Sequence, residues 1–141
     1  MNTPRTSSPK LVNVILCDQV RQESTGKLLV IGMYTGTVLL GSCPATIPTL
    51  SFVCTWKLPR GSSIDGAFEV LSPEDEPLGS VTVRPQNQPT GDGEATTIIV
   101  LSPFTFTTLG EYRLVHRPSN ERRRTVYRFT VAPRPDHATT G

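Results

Sequence analysis

The sequence has little of the chemistry that marks metalloproteins, membrane proteins and most enzymes. It contains 3 cysteines with no CxxC spacing and 2 histidines. A structural metal site usually needs about four such ligands close together, so we expect no metal and no other cofactor. No apolar run approaches the roughly 20 residues of a membrane-spanning helix, and residues 1–10 lack the apolar core of a signal peptide. These absences predict a soluble, cytoplasmic protein.

Helical periodicity is also missing, and the residues that break helices are abundant. The chain carries 13 prolines and 11 glycines in 141 residues, and both residue types fit badly inside helices. Threonine and valine, which favour strands, are plentiful. The length suits one domain with a single core. We predict a flexible lead-in at 1–10, one β domain at 11–132 and a flexible tail at 133–141.

The apolar residues alternate in a way that predicts an antiparallel β-sandwich. Between Leu50 and Leu58, apolar residues at every second position would share the buried face of one strand, and the other face would be solvated. The run from Leu28 to Leu40 is apolar on both faces, which is typical of a central or covered strand. Shorter runs, among them a hairpin formed by 67–71 and 78–84, bring the total to about seven to nine strands. We predict an immunoglobulin-like or related sandwich.

The densest pattern is a hairpin from Val12 to Tyr34, whose turn carries charges of both signs. The first strand is predicted at Leu11–Val20, and Gly26 can adopt the positive φ that the turn needs. The charged residues around the turn are Asp18, Arg21, Glu23 and Lys27. Two interpretations stay open. Either these side chains form a partner-binding patch on a rigid hairpin, or they pair with one another across the strands and fix the register.

Basic residues are concentrated near the carboxyl end of the domain. The arginines expected on the last two strands and their turn are Arg113, Arg117, Arg122, Arg123, Arg124 and Arg128. This cluster is the candidate for nucleic-acid binding. Its aromatic neighbour Tyr127 is in phase with the core, so no stacking platform for bases is predicted. The alternative is a solvated hairpin whose arginines keep an edge strand soluble.

No complete catalytic set is visible in the sequence. Gly26-Lys27 lacks the earlier glycine and the following Ser or Thr of a phosphate-binding loop. A small hydrolase would have to use Cys17 with His116, but Cys17 lies in an apolar run without a cation that would lower its pKa. We expect a buried thiol, a strand-end histidine near the core, and no catalytic residue.

The hairpin also resembles the opening of a known family. The matching positions are Asp18, Val20, Arg21 and Glu23, then Gly26-Lys27, then Ile31, Gly32 and Tyr34. They are similar to an Asp-x-Val-Arg-x-Glu, Gly-Lys, Ile-Gly-x-Tyr signature of small bacterial proteins that are catalogued as a domain of unknown function. The resemblance implies a compact β domain whose hallmark is this hairpin. It implies no activity, cofactor or catalytic residue.

These observations together predict a binding module without enzymatic activity, with another protein as its partner. Sandwich folds carry function on loops and edges, where residues are free to vary. Nucleic-acid binding through the arginines is the alternative class, and a small hydrolase is the third. Exposed edge strands also permit a homo-oligomer that forms by sheet extension.

Overall fold

A computed structural model describes residues 8–83, 93–119 and 121–135 of the chain. These residues form strands and no helix, which confirms the predicted all-β class, and so none of them belongs to a helix that could cross a membrane. The strands are β1 (Lys10–Gln22), β2 (Leu28–Tyr34), β3 (Thr37–Leu40), β4 (Ala45–Ile47), β5 (Leu50–Leu58), β6 (Gly66–Leu71), β7 (Pro77–Val83), β8 (Gly93–Leu101), β9 (Phe104–Phe106), β10 (Gly110–Arg117) and β11 (Arg124–Pro133). Most of the predicted lead-in at 1–10 and tail at 133–141 lies outside the described residues.

Two larger sheets and one small ribbon contain all of these strands. The first sheet has the order β2-β1-β5-β8 and is antiparallel throughout. The second has the order β3-β11-β10-β6-β7, and within it only β3 and β11 run parallel. The strands β4 and β9 pair as a separate ribbon. The predicted hairpin of 67–71 and 78–84 is present as β6 and β7.

A single hydrophobic core joins the two larger sheets. Side chains of β5 meet those of the second sheet, with the Phe52 ring 5.9 Å from the Phe129 ring and the Trp56 ring 6.2 Å from the Phe68 ring. Tyr112 stacks on Phe129 at 5.6 Å. Aromatic pairs at these distances add packing energy to the area that they remove from water. The core therefore depends on long-range contacts that only the complete chain can make.

The strand β5 confirms its predicted alternation on one face and departs from it on the other. Its core-facing residues, from Leu50 through Phe52 to Leu58, are buried as expected. On the opposite face, Ser51 and Val53 are buried too, although a solvated face was predicted. The reason is position, because β5 has β1 on one side and β8 on the other, and their side chains cover this face laterally.

The prediction of one strand from Leu28 to Leu40, central in its sheet or covered by another part of the fold, is wrong. The run divides into β2, at the edge of the first sheet, and β3, at the edge of the second. Gly36 lies between them with φ +95°, a conformation that strongly favours glycine, and the chain changes sheets there. Burial on both faces does not explain the apolar sequence of β2, since Leu29, Ile31 and Met33 on one of its faces are exposed.

Replacement of Tyr112 by Phe tests how the start of β10 is fixed. The buried Tyr112 hydroxyl donates to the Thr108 carbonyl at 2.6 Å and accepts from the Thr108 N–H at 3.2 Å. Because the backbone of Thr108 loses both partners, we expect Tyr112→Phe to lower the free energy of unfolding by about 1–3 kcal/mol in urea denaturation. Tyr127→Phe is the control, since no described residue hydrogen-bonds to its hydroxyl, and we expect a change below about 0.5 kcal/mol. Equal losses in the two variants would contradict this account.

Candidate functional site

The turn between β1 and β2 presents charged side chains that do not pair with one another. It is closed by backbone hydrogen bonds from the Glu23 N–H to the Lys27 carbonyl (2.8 Å) and from the Gly26 N–H to the Glu23 carbonyl (2.9 Å). Gly26 has the predicted positive φ, at +88°. Arg21, Glu23 and Lys27 are exposed, and within the described residues none of them forms an ion pair. The alternative of a self-paired turn therefore gains no support from the geometry.

Asp18 is used differently from the other charges of the hairpin. Its carboxylate accepts a hydrogen bond from the Tyr34 hydroxyl, and burial together with Asp18 raises the pKa of Tyr34 well above its usual value. Gly32 lies opposite Asp18 in the hairpin register and has φ +69°. A Cβ atom at position 32 would overlap the Asp18 carboxylate. We call Asp18, Gly32 and Tyr34 the Asp18 cluster, and its contacts fix how β1 and β2 pair.

The outer face of the first sheet carries exposed apolar side chains that do not contribute to the core. Cross-strand neighbours share a face, and the register places Met33, Cys17, Ser51 and Val100 in one row and Ile15, Val53 and Ile98 in the next. The exposed apolar members on β2 and β8 are Leu29 (45% exposed), Ile31 (38%), Met33 (60%), Ile98 (36%) and Val100 (46%). We call these residues, with Cys17, Ser51 and Val53 as their buried floor, the outer patch.

Charged residues surround the outer patch, and most of them are cations. By register, Arg21 lies beside Leu29 at one end, whereas Lys10, Lys57 and Glu94 lie across from one another at the other end. All of these charged side chains are exposed. Within the described residues they take part in no ion pair. The face thus combines an apolar centre with a rim of net positive charge.

A comparison of the sequence with models of known protein families identifies one match. The model described as a family of unknown function (DUF6941) covers residues 13–132. The chain belongs to this family. The family expectation derived from the hairpin is confirmed at this level, and the match spans β1 through most of β11. No curated protein matches the chain.

Cys17 and His116, the pair considered for a hydrolase, are not brought together. Cys17 lies on the outer face of the first sheet, where burial and then the Asp18 charge raise the pKa of its thiol. His116 lies on the core side of the second sheet and stacks on Phe68 at 4.2 Å, as expected for a strand-end histidine near the core. Burial also raises the pKa of Cys54 to about 12. Both thiols are thereby kept protonated, which makes them poor nucleophiles.

The arginine cluster is largely neutralised by neighbouring acids. The ion pairs are Arg113–Asp75 at 2.6 Å, Arg128–Glu111 at 3.0 Å, Arg124–Glu121 at 3.4 Å and Arg123–Glu69 at 3.8 Å. Arg117 and Arg122 are exposed and form no ion pair with the described residues. Arg113 and Arg128 do face each other across β10 and β11, in line with the sequence analysis. Among the residues described, no group of three or more metal-ligating side chains occurs.

Sequence reasoning missed the contribution of β8 to the outer patch. The apolar run from Ile98 to Leu101 is typical of a buried strand, yet Ile98 and Val100 point outward and Ile99 points into the core. The available signal was that β2 and β8 are both apolar on two faces, in a sequence without helical periodicity that could supply a covering helix. Two such strands can be buried only by a further layer, and no described element supplies one.

The Asp18 cluster makes a prediction about Gly32 that a matched glycine can check. Gly32→Ala introduces a left-handed alanine, which costs roughly 1–2 kcal/mol, and also an overlap with Asp18. Gly26→Ala introduces the same backbone strain with nothing within 4 Å of the new Cβ. We expect urea denaturation to show the larger loss for Gly32→Ala. In an Asp18→Ala background this excess should disappear, and an unchanged excess there would contradict the assignment.

Proposed function

We propose that the protein is a non-enzymatic interaction module that binds another protein through the outer patch. The observation that carries the proposal is the set of exposed apolar side chains that β2 and β8, the two edge strands, present on one face of the first sheet, which no described element covers. Soluble proteins rarely expose large contiguous apolar patches unless these bind a partner. Isolated exposed apolar residues would need no such explanation, but the register places these side chains on one face of the same sheet, in rows that continue across β1 and β5.

The rim supports a partner whose apolar surface is bordered by acidic side chains. Arg21, Lys10 and Lys57 outnumber Glu94 on this face, and Lys27 adds a further exposed cation beside the turn. A rim of this kind steers an oppositely charged partner during approach and discourages one of like charge. A second copy of the chain would bring the same positive excess to the interface, which favours a different protein as the occupant.

The shape of β2 supports face-on binding over extension of the sheet. Gly32 places a left-handed residue in the middle of this exposed edge strand. Local irregularities of this kind are a common means by which edge strands avoid pairing with other chains. The partner therefore packs on the side chains of the outer patch and does not add a strand to β2. On this account the Asp18 cluster holds β1 and β2 in the pairing that presents the outer patch, while Arg21, Glu23 and Lys27 border the patch.

We also propose the immunoglobulin-like class for the fold. The neighbouring strands β6, β10 and β11 have the arrangement of the C, F and G strands of such domains, and the sheet that faces them has β5 and β8 in place of B and E. The hydrogen bonds between Tyr112 and the Thr108 backbone resemble the tyrosine corner of these folds. A sandwich of this class leaves the outer faces of its sheets available for partners.

No specific observation favours nucleic-acid binding through the arginines. Four of the six side chains already have acidic partners, so a phosphate backbone would have to compete with Glu69, Asp75, Glu111 and Glu121. Tyr127 packs against Phe52 and Phe129, as its phase predicts, and is not presented for base stacking.

Site-specific cross-linking tests the outer patch as the partner surface. A photo-reactive benzoylphenylalanine in place of Ile31 should capture a protein from the native host, and the same residue in place of Leu109 should not. Leu109 is the matched control, since it is 44% exposed but precedes β10 on the other sheet.

The captured protein is then purified and its affinity is measured by calorimetry. Met33→Glu should weaken binding at least tenfold, because it buries a charge in an apolar interface, and Leu109→Glu should have no effect.

Two further outcomes would overturn the proposal. If the purified partner binds Met33→Glu as tightly as the wild type, the outer patch is not its site. If sedimentation shows a dimer that Met33→Glu converts to a monomer, the occupant is a second copy of the chain.

A partner with an acidic rim also predicts that Arg21→Glu slows association at low salt and that added salt removes the difference.

A further inference from the structure

A cleft of about 590 Å³ opens at one end of the two sheets, and its lining includes Lys10 from the rim of the outer patch. Its walls come from the start of β1, the end of β5, the loop before β6, the end of β10 and the start of β11. Its size falls in the range of cavities that hold small organic molecules. Trp56 and His116 form the aromatic part of its lining, with their rings 5.6 Å apart and inclined at 60°.

Trp56, which lines this cleft, has an unused hydrogen-bond donor. The side chain is only 4% exposed, and its indole N–H is buried without an acceptor among the described residues. Nearly all buried polar groups in proteins have a partner, and an unpaired one costs free energy. Contacts with Phe68 and His116 explain why the Trp56 ring is buried, but they give its N–H no acceptor. A carbonyl oxygen of an occupant would supply the missing acceptor after a small adjustment of the lining.

His116 brings an unused acceptor. Its Nε2 lies 2.7 Å from the carbonyl oxygen of Asp65, and because a carbonyl only accepts, Nε2 must carry the proton. Burial lowers the pKa of His116, which keeps the ring neutral near pH 7 and leaves a lone pair on Nδ1. No described residue donates a hydrogen bond to Nδ1. The stacked Phe68 ring holds the imidazole in this orientation.

The charges around the cleft do not select a charged occupant. Lys10 and Arg124 are opposed by Asp65 and Glu121. Arg124 is already paired with Glu121 at 3.4 Å, and Asp65 accepts a hydrogen bond from the Ser119 N–H at 3.2 Å. What remains at the aromatic wall is one neutral donor and one neutral acceptor.

We propose that this cleft binds a small neutral molecule that carries an amide or an equivalent lactam group on an apolar ring. The carbonyl oxygen accepts from the Trp56 indole N–H, the amide N–H donates to His116 Nδ1, and the ring packs against the two aromatic side chains. The site is distinct from the outer patch, so the proposal does not depend on the protein partner.

The test compares two ligands of nearly equal shape. Benzamide has both the acceptor and the donor, whereas acetophenone replaces the NH₂ group with a methyl group and keeps only the acceptor. Trp56 is the only tryptophan of the chain, so one indole N–H signal in a ¹⁵N spectrum reports on the cleft. We expect this signal to shift saturably with both ligands, with benzamide about two- to tenfold tighter because of the bond to His116. Toluene, with neither group, should bind more weakly than acetophenone.

The variant His116→Phe keeps an aromatic ring on Phe68 and removes Nδ1. In this variant, benzamide should fall to the affinity of acetophenone, whose own affinity should be unchanged. The proposal is overturned if benzamide gives no saturable shift or binds the wild type no tighter than acetophenone. It is also overturned if toluene binds as tightly as acetophenone does. The wild-type comparison remains decisive if His116→Phe does not fold.

Discussion

The packing of β5 against the second sheet is the interaction on which the rest of the structure depends. Phe52 and Trp56 reach across to Phe129 and Phe68, and the same strand pairs with β1 on one side and β8 on the other. This contact fixes which face of the first sheet is inside. It thereby determines that Ile98 and Val100 point outward into the outer patch, and that the Trp56 ring stands beside His116 at the end cleft.

Within this frame, the β1–β2 hairpin separates structural residues from those available to a partner. Asp18 is drawn inward by the Tyr34 hydroxyl and occupies the space that a side chain at Gly32 would need. Arg21, Glu23 and Lys27 remain exposed. Whether the charged turn fixes the register or meets a partner stays a prediction. The geometry gives Asp18 contacts within the hairpin and leaves the other three charges exposed.

Local patterns predicted the elements of the fold better than their positions in it. The alternation from Leu50 to Leu58 identified β5 and its core face, because every second residue of a strand shares a face. The same logic failed for Leu28–Leu40, since an apolar face looks the same in sequence whether a core or a partner covers it. Strand order decides between these cases, and strand order depends on contacts between residues far apart in the chain.

The two sites differ in how much of them the sequence could reveal. The outer patch left a trace, because β2 and β8 are apolar on both faces. The cleft left none, since Trp56 and His116 lie 60 residues apart in the sequence and the pattern around each indicates only a core residue on its own strand. Only the completed sheets show that Trp56, with its unpaired indole N–H, and His116 line the same cavity.

The most direct measurement of the central claim uses two residues that give unique signals. Met33 lies in the outer patch and is one of 2 methionines, and Trp56 is the only tryptophan. The protein, labelled with ¹³C in the methionine methyl groups and with ¹⁵N in the indole, is titrated with the partner captured at position 31. The account predicts that the Met33 methyl signal shifts or broadens as the complex forms, while the Trp56 indole signal stays in place. An unchanged Met33 signal at saturation would contradict it.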